Sequence, residues 1–386
     1  MKKTPSIKKD KTWLIIFCIT IFLVLFGILM VYSASYYYAE KTYHNPFFFL
    51  IKQTIGFFVG LLAMIFLSKY NYQNLKKISL ISLITGYVLL VLVFVPGIGV
   101  SNYGATRWIR LPGFTIQSSE IAKFCFVLFS ANYLAKEYKN VKTFKGILPV
   151  ILSGGLMCLL IILEPNMSIT MCVGLIMIVM LIVGGMSFKH LMMIAIPALI
   201  LACALIIIEP YRFDRLMAFV NPWANPKGEG YQLIQSFFSI SDGGLFGVGL
   251  FNSRQKYLFL PFAESDFIFS VIAEEFGLVG CLGILLLYFV LIVCGIKVAI
   301  KAKDRFGCYL ATGITAVVAV QTLLNVSVVS GLIPPTGLPL PFISAGSTSI
   351  VVFMAAIGIL LNISSNEKTA EINYNFNNKF FKKMHT

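Results

Sequence analysis

Gly247-Val-Gly-Leu-Phe-Asn-Ser-Arg-Gln-Lys-Tyr-Leu-Phe-Leu-Pro-Phe-Ala-Glu-Ser-Asp266 runs directly into Phe267-Ile-Phe-Ser-Val-Ile-Ala-Glu-Glu-Phe-Gly277. The stretch opens as a glycine-rich, basic, aromatic loop and ends in a carboxylate at the mouth of a long apolar run. Such a run of about 20 residues is what a helix needs to cross a bilayer. The spacing predicts Asp266 in the first helical turn, where the positive end of the helix dipole favours an acid. An acid at a membrane boundary beside a basic loop is a candidate reactive group. Ten such runs recur along the chain, at about 13–34, 48–68, 78–97, 117–135, 146–164, 168–186, 191–209, 266–296, 307–331 and 347–364. The expected fold is an all-α membrane protein with ten transmembrane helices, a single polytopic domain over 13–364.

Composition agrees. Of 386 residues, 58% are hydrophobic and 12% charged, against roughly 25% charged in soluble domains. The first run follows Lys2, Lys3, Lys8, Lys9 and Lys11. It exceeds the apolar core of about 7–15 residues of a cleavable signal, so an uncleaved span is expected. A net charge of +15 suggests nucleic acid, but its distribution argues against that partner. With the N-terminus inside, 21 of the 31 Lys and Arg fall in inner segments and 8 in outer ones, as the positive-inside rule requires. Both termini are then cytoplasmic: a segment 1–12 and a polar, Asn-rich, disordered tail 365–386. The extracytoplasmic loops are 97–116, 332–346 and a large one, 210–265, between helices 7 and 8. All eight cysteines lie in or beside apolar spans, which disfavours a disulfide framework and offers no metal-ligand spacing.

Polar residues at span ends are the candidate site. Lys52 either snorkels to the interface or pairs with an acid. Arg107 beside Trp108 offers a cation for phosphate. Ser118 or Ser119 can cap the fourth span. Glu120 and Lys123 share its face, as a local ion pair or a charged patch under a cavity. Glu164, in a turn at Pro165, is an acid at membrane depth with Lys123 or Lys52 as sensible partners. Arg212, Arg215, Arg254 and Lys256 could form an anion cradle in the large loop. Gln232 falls on a short amphipathic helix expected to lie on the membrane surface. Ser270, Ala273, Gly277 and Gly280 make a small-residue stripe suited to close packing or to a groove for an acyl chain. From Gly331 to Ser349 four prolines predict a stiff, non-helical loop, tolerated at membrane depth where it lines a cavity.

These residues resemble the SEDS proteins (shape, elongation, division and sporulation), of the FtsW, RodA and SpoVE kind. The likeness is densest at Gly104-Ala-Thr-Arg-Trp108, Gln117-Ser-Ser-Glu-Ile-Ala-Lys123, Glu164-Pro-Asn166, Asn221-Pro-Trp223, Gly230-Tyr-Gln232, Leu260 to Glu275, and Gly337-Leu-Pro-Leu-Pro-Phe-Ile-Ser344. The resemblance implies a peptidoglycan glycosyltransferase in the bacterial cytoplasmic membrane. It would polymerise glycan strands from lipid II on the extracytoplasmic side, with a class B penicillin-binding protein and other divisome or elongasome membrane proteins as partners. Asp266 matches the family's essential aspartate and is the expected base, or the carboxylate that orients the acceptor. Arg107, Trp108, Arg212, Arg215, Gln232, Lys256 and Glu264 are expected to bind substrate, with Lys52, Glu120, Lys123 and Glu164 as a supporting charge network. A divalent cation, Mg or Mn, could assist beside Glu264. Departures from the family pattern are Phe262 for Glu, Glu264 for His or Gln, Ser265 for Thr, Asn166 for Asp, Ser118 for Pro, and Ala345-Gly346-Ser347 for Tyr-Gly-Gly. A lipid II flippase, or a non-catalytic scaffold for the crosslinking enzyme, is the alternative.

Overall fold

A computed structural model of the chain describes residues 11–102, 105–111, 114–208 and 210–365. The expected segment 1–12 and tail 365–386 fall almost wholly outside the described residues. Twelve α-helices are described: α1 Thr12–Tyr43, α2 Phe48–Lys69, α3 Leu75–Leu92, α4 Ser118–Lys136, α5 Phe144–Leu163, α6 Met167–Gly184, α7 Phe188–Ile208, α8 Pro210–Val220, α9 Tyr231–Gly243, α10 Ile268–Lys301, α11 Arg305–Val329 and α12 Ser347–Ser365. Among the described residues eight are long and apolar enough to cross a membrane: α1, α2, α3 with its preceding turn, α5, α6, α10, α11 and α12. The protein is therefore a multi-pass helical membrane protein. Of the other expected spans, α4 carries buried Glu120, Lys123 and Asn132, and the strongly apolar part of α7 covers Phe188–Ile200.

Short polar residues set the helix ends. Asn166 caps α6 by accepting from the Ile169 N–H at 3.3 Å, and Asp304 caps α11 by accepting from Gly307 at 3.2 Å. At α4 the capping position is Gln117, which makes no side-chain cap; Ser118 instead donates to Glu164 at 3.3 Å. Small residues let α2 and α12 approach closely. A Cβ on Gly358 would lie 2.5 Å from the Met64 carbonyl oxygen.

One end of the bundle departs from the all-α expectation. The segment before α4 forms a three-stranded antiparallel sheet, β1 Gly99–Asn102, β2 Ala105–Leu111 and β3 Phe114–Gln117, ordered β1-β2-β3. The large loop folds into α8 and α9 rather than lying open. Helix α9 does not rest on a surface by itself: Leu233, Ile234, Ser236 and Ser239 are buried. Its serines fill the small-residue stripe of α10, with Ser236 Oγ 2.8 Å from Ser270 Oγ and Ser239 Oγ donating to the Ser270 carbonyl at 2.9 Å. From Ser270 to Gly277 the stripe is a packing face.

Helix α10 breaks at Gly277 (φ 64°, ψ −166°), a conformation almost confined to glycine. The freed backbone groups find partners in the preceding loop. Val248 and Gly249 donate to the carbonyls of Glu274 and Glu275, at 2.9 and 3.0 Å, while Leu278 and Val279 donate to those of Gly244 and Leu245, at 3.0 and 3.1 Å. A Cβ at position 277 would sit 2.4 Å from the Gly247 nitrogen. Gly277→Ala should therefore lower stability by roughly 1–3 kcal/mol from strain alone, with the clash added. Thermal unfolding in detergent reads it, and an unchanged midpoint would contradict the account.

Candidate active site

Two irregular loops meet at the same end of the bundle. One descends from α9 to α10 and carries Glu264 and Asp266. The other is the proline loop between α11 and α12. Their backbones are laced together. Ala345 N–H donates to the Glu264 carbonyl at 2.9 Å. Ser344 Oγ donates to the Ser265 carbonyl at 2.6 Å and accepts from Leu340 N–H at 2.7 Å. Asn325 on α11 donates to the Asp266 carbonyl at 2.8 Å. Bulky residues here hold positive φ: Phe251, Leu258, Phe262 and Phe342, at 65°, 70°, 57° and 68°. Such backbone persists only where its surroundings over-determine it.

Asp266 lies two residues before α10, whose capping residue is Phe267, so it precedes the first turn in which it was expected. Gly337 of the proline loop, at φ 75°, passes so close that a Cβ there would be 3.1 Å from Asp266 Oδ2. Burial pushes the Asp266 carboxyl up to about 6, against the opposing pull of the Arg107 and Arg215 charges. Glu264 is pushed up to about 7, mainly by burial, eased by its own backbone N–H and raised further by Asp266. Both arginines are tethered. Arg107, on β2, donates through Nε to the Glu164 carbonyl at 3.4 Å and through Nη2 to that of Pro165. Arg215, on α8, faces Glu229 at 3.6 Å and the Pro335 carbonyl at 3.4 Å. Burial likewise lifts Glu164 to about 8, opposed by Ser118 and Arg107. A carboxylate that ionises near 6 beside two fixed guanidinium groups can take a proton from a hydroxyl while the cations hold an anion.

The other expected site residues divide. Gln232 donates to the Pro261 carbonyl at 3.4 Å, bracing the loop from behind. Trp108 stands in β2 with Gln117 and Val100 as register partners. The Arg212 side chain lies outside the described residues. Arg254 is exposed, and its N–H donates to Glu274 at 2.6 Å. Lys256 leaves the proposed cradle: its ammonium is buried against Glu275 Oε1 at 3.0 Å and Ser33 Oγ at 3.1 Å. Among the described residues Lys52 joins no charge network; it is exposed, with Nζ 4.1 Å from the Phe48 ring centroid. Lys123 does not reach Glu164. It binds Glu120 at 2.9 Å and the Gln321 side-chain oxygen, both ions being fully buried.

The whole chain can now be compared with known proteins. A family model for FtsW, RodA and SpoVE, described as cell cycle protein, matches residues 13–369. The chain belongs to the FtsW/RodA/SpoVE family. It is 38% identical over 359 residues to stage V sporulation protein E of Bacillus subtilis, covering 92% of this chain and 98% of that one. It is equally 38% identical over 356 residues to the probable peptidoglycan glycosyltransferase FtsW of Geobacter metallireducens, covering 92% and 95%. Among solved structures, one from work on "structural coordination of polymerization and crosslinking by a peptidoglycan synthase complex" superposes with a TM-score of 0.72 at 25% identity, over 94% of this chain and 99% of that one. The Thermus thermophilus rod shape determining protein RodA shares the fold, with a TM-score of 0.65 at 22% identity over the same shares.

In this FtsW/RodA/SpoVE chain the structure adds residues that the sequence reading passed over. Glu274 accepts from Arg254 N–H, Ser253 Oγ at 2.6 Å and Ser239 Oγ at 3.0 Å. Glu275 accepts from Ser33 Oγ at 2.6 Å as well as from Lys256. The two acids hold the basic loop against α1 and α9. Gln53, beside the exposed Lys52, is buried; it donates to the Ser344 carbonyl and accepts from Gly346 N–H, each at 3.1 Å. The usable signal was two adjacent acids inside an apolar run, which need partners. Removing one partner of a buried pair costs about 3–5 kcal/mol. Lys256→Met should therefore destabilise the protein strongly, and Lys256→Met with Glu275→Gln should recover most of the loss. Melting temperatures of the three proteins decide it; no difference between single and double variants would exclude the pair as the cause.

Proposed function

We propose that this chain is a peptidoglycan glycan-strand polymerase working in cell division, with Asp266 as its catalytic base. The observation that carries the reading is the Asp266 carboxylate, packed against Gly337 of the proline loop and acted on by the charges of Arg107 and Arg215. A family relative 38% identical across 92% of the chain is named a probable peptidoglycan glycosyltransferase, which supplies the reaction class.

The proposed step is a displacement at an anomeric carbon. The sugar 4-hydroxyl of one disaccharide-peptide unit attacks, and Asp266 accepts its proton. The bond from the anomeric carbon to the lipid pyrophosphate breaks, and Arg107 and Arg215 stabilise the departing diphosphate. Arg212 and Trp108 are further contacts for that lipid headgroup. Glu120, Lys123 and Glu164 support the site from within the bundle. Mg is commonly held by one or two carboxylates together with substrate phosphates. Asp266 and Glu264 suit such a cation, Mg or Mn, which would add Lewis-acid stabilisation.

The same reading places the protein in the bacterial cytoplasmic membrane. It has ten spans, α4 and α7 being the two beyond the eight apolar ones, both termini cytoplasmic and Asp266 on the extracytoplasmic face. Residues 13–364 act as one polytopic domain. Its partners are lipid II, the growing strand, a class B penicillin-binding protein and other division membrane proteins. The 0.72 match to a chain from work on coordinated polymerization and crosslinking supports the penicillin-binding protein.

Purified protein with its penicillin-binding partner and labelled lipid II should make polymer, and Asp266→Ala should lose at least about 100-fold. Undiminished polymer from that variant would remove Asp266 from the mechanism. A base must be ionised, so turnover should rise with pH through about 6; a profile flat from pH 5 to 8 would contradict the assignment. Stability should move the opposite way. A carboxyl whose folded pKa is raised favours the fold while protonated and loses that contribution as pH climbs through about 6. Asp266→Asn should accordingly melt above wild type at pH 8, with the gap closing below pH 4. A constant gap would show that titration is not its source.

A further inference from the structure

Helix α11 carries two amides four residues apart, Gln321 and Asn325, on one face. Both are buried. Gln321 accepts from Lys123 Nζ and donates through Nε2 to the Pro339 carbonyl at 2.9 Å. Asn325 donates through Nδ2 to two carbonyls at once, that of Asp266 at 2.8 Å and that of Leu338 at 2.6 Å. An –NH2 group has two hydrogens and can serve both. A hydroxyl or a single N–H could not.

The two carbonyls belong to the two loops that build the site. One is on Asp266 itself. The other is on the residue after Gly337, whose Cα-side space is taken by Asp266 Oδ2. One side-chain nitrogen thus fixes the carboxylate loop against the rim of the proline loop. Gln321, one turn away, ties that rim to the buried Glu120–Lys123 pair.

We propose that Asn325 is a positioning residue for the reaction, setting where the Asp266 carboxylate stands relative to the proline loop, with Gln321 anchoring that loop to the Glu120–Lys123 pair. The inference rests on Asp266 being the base. Displacement of a reacting group by about 1 Å can cost about 100-fold in rate, and loss of this clamp acts on turnover rather than on substrate capture.

The test uses full-length protein with its penicillin-binding partner, comparing wild type, Asp266→Ala, Asn325→Ala and the near-isosteric Asn325→Asp, which removes both donors. Steady-state polymerisation of labelled lipid II should show kcat lowered by about 100-fold in both Asn325 variants, with KM within twofold. Hydrogen–deuterium exchange should become faster over residues 262–268 while α10 and α11 keep their protection. Wild-type kcat with wild-type exchange would overturn the proposal. So would a change in KM alone, or loss of protection throughout α10 and α11, which would make Asn325 a fold residue. Absence of polymer from wild type would overturn the enzymatic reading instead. In that case the exchange data still decide whether Asn325 positions the Asp266 loop.

Discussion

Backbone that is not helical must find its hydrogen-bond partners within the protein when it lies at membrane depth. The same demand, that buried backbone groups be paired within the protein, governs the end of the bundle where Asp266 sits. The chain there runs irregularly twice, before α10 and between α11 and α12. Neither loop is satisfied by itself. The segment 244–249 exchanges four backbone hydrogen bonds with the broken turns of α10. The proline loop is held by Gln53 from α2, by Gln321 and Asn325 from α11, and by the Glu264 and Ser265 carbonyls. Gly277, Glu274 and Glu275 exist in an apolar helix because the loop beside them needs a break and two acceptors.

The same lacing explains how charge is kept near Asp266 without leaving it to chance. A guanidinium on a flexible stem would otherwise sample many poses. Carbonyls of the turn after α5 hold Arg107, and Pro335 with Glu229 holds Arg215. The arginines lower the cost of an ionised Asp266 but do not cancel its burial, and the balance falls near 6. A carboxylate left in water would be a weak base; one fully neutralised by a contact ion pair would be weaker still. Fixed cations near a partly buried acid give both proton affinity and an anion site.

Much of this was legible in the sequence. Runs of apolar residues located the eight helices long and apolar enough to cross a membrane, because length and hydropathy are properties of the chain alone. Asp266 stood out as an acid at a span end, and Arg107 and Arg215 as candidate cations for phosphate. What failed was pairing. Lys256 looked like a loop cation because sequence shows only neighbours, whereas its partner Glu275 is 19 positions away and Ser33 is 223. Lys52 drew attention by its charge, yet the adjacent Gln53 makes the contacts. The three-stranded sheet went unseen because its strands are 4, 7 and 4 residues long, too short for a clear period-2 pattern. For the small-residue stripe the sequence left close packing and an acyl groove open, because its occupant, α9, is a tertiary fact.

The departures at positions 262 and 264 take on physical sense in the folded loop. Phe262, where the resembling pattern has glutamate, holds positive φ and is 38% exposed. Position 264, where that pattern has histidine or glutamine, lies within electrostatic reach of Asp266. A glutamate there with an ordinary pKa would be a permanent anion facing Asp266. Burial instead carries it to about 7. In its protonated form the carboxylic acid both donates and accepts, as a glutamine or neutral histidine does. The substitution therefore keeps the hydrogen-bonding character of the position while changing its chemistry. It also couples the two acids, since each proton on Glu264 makes the ionisation of Asp266 easier.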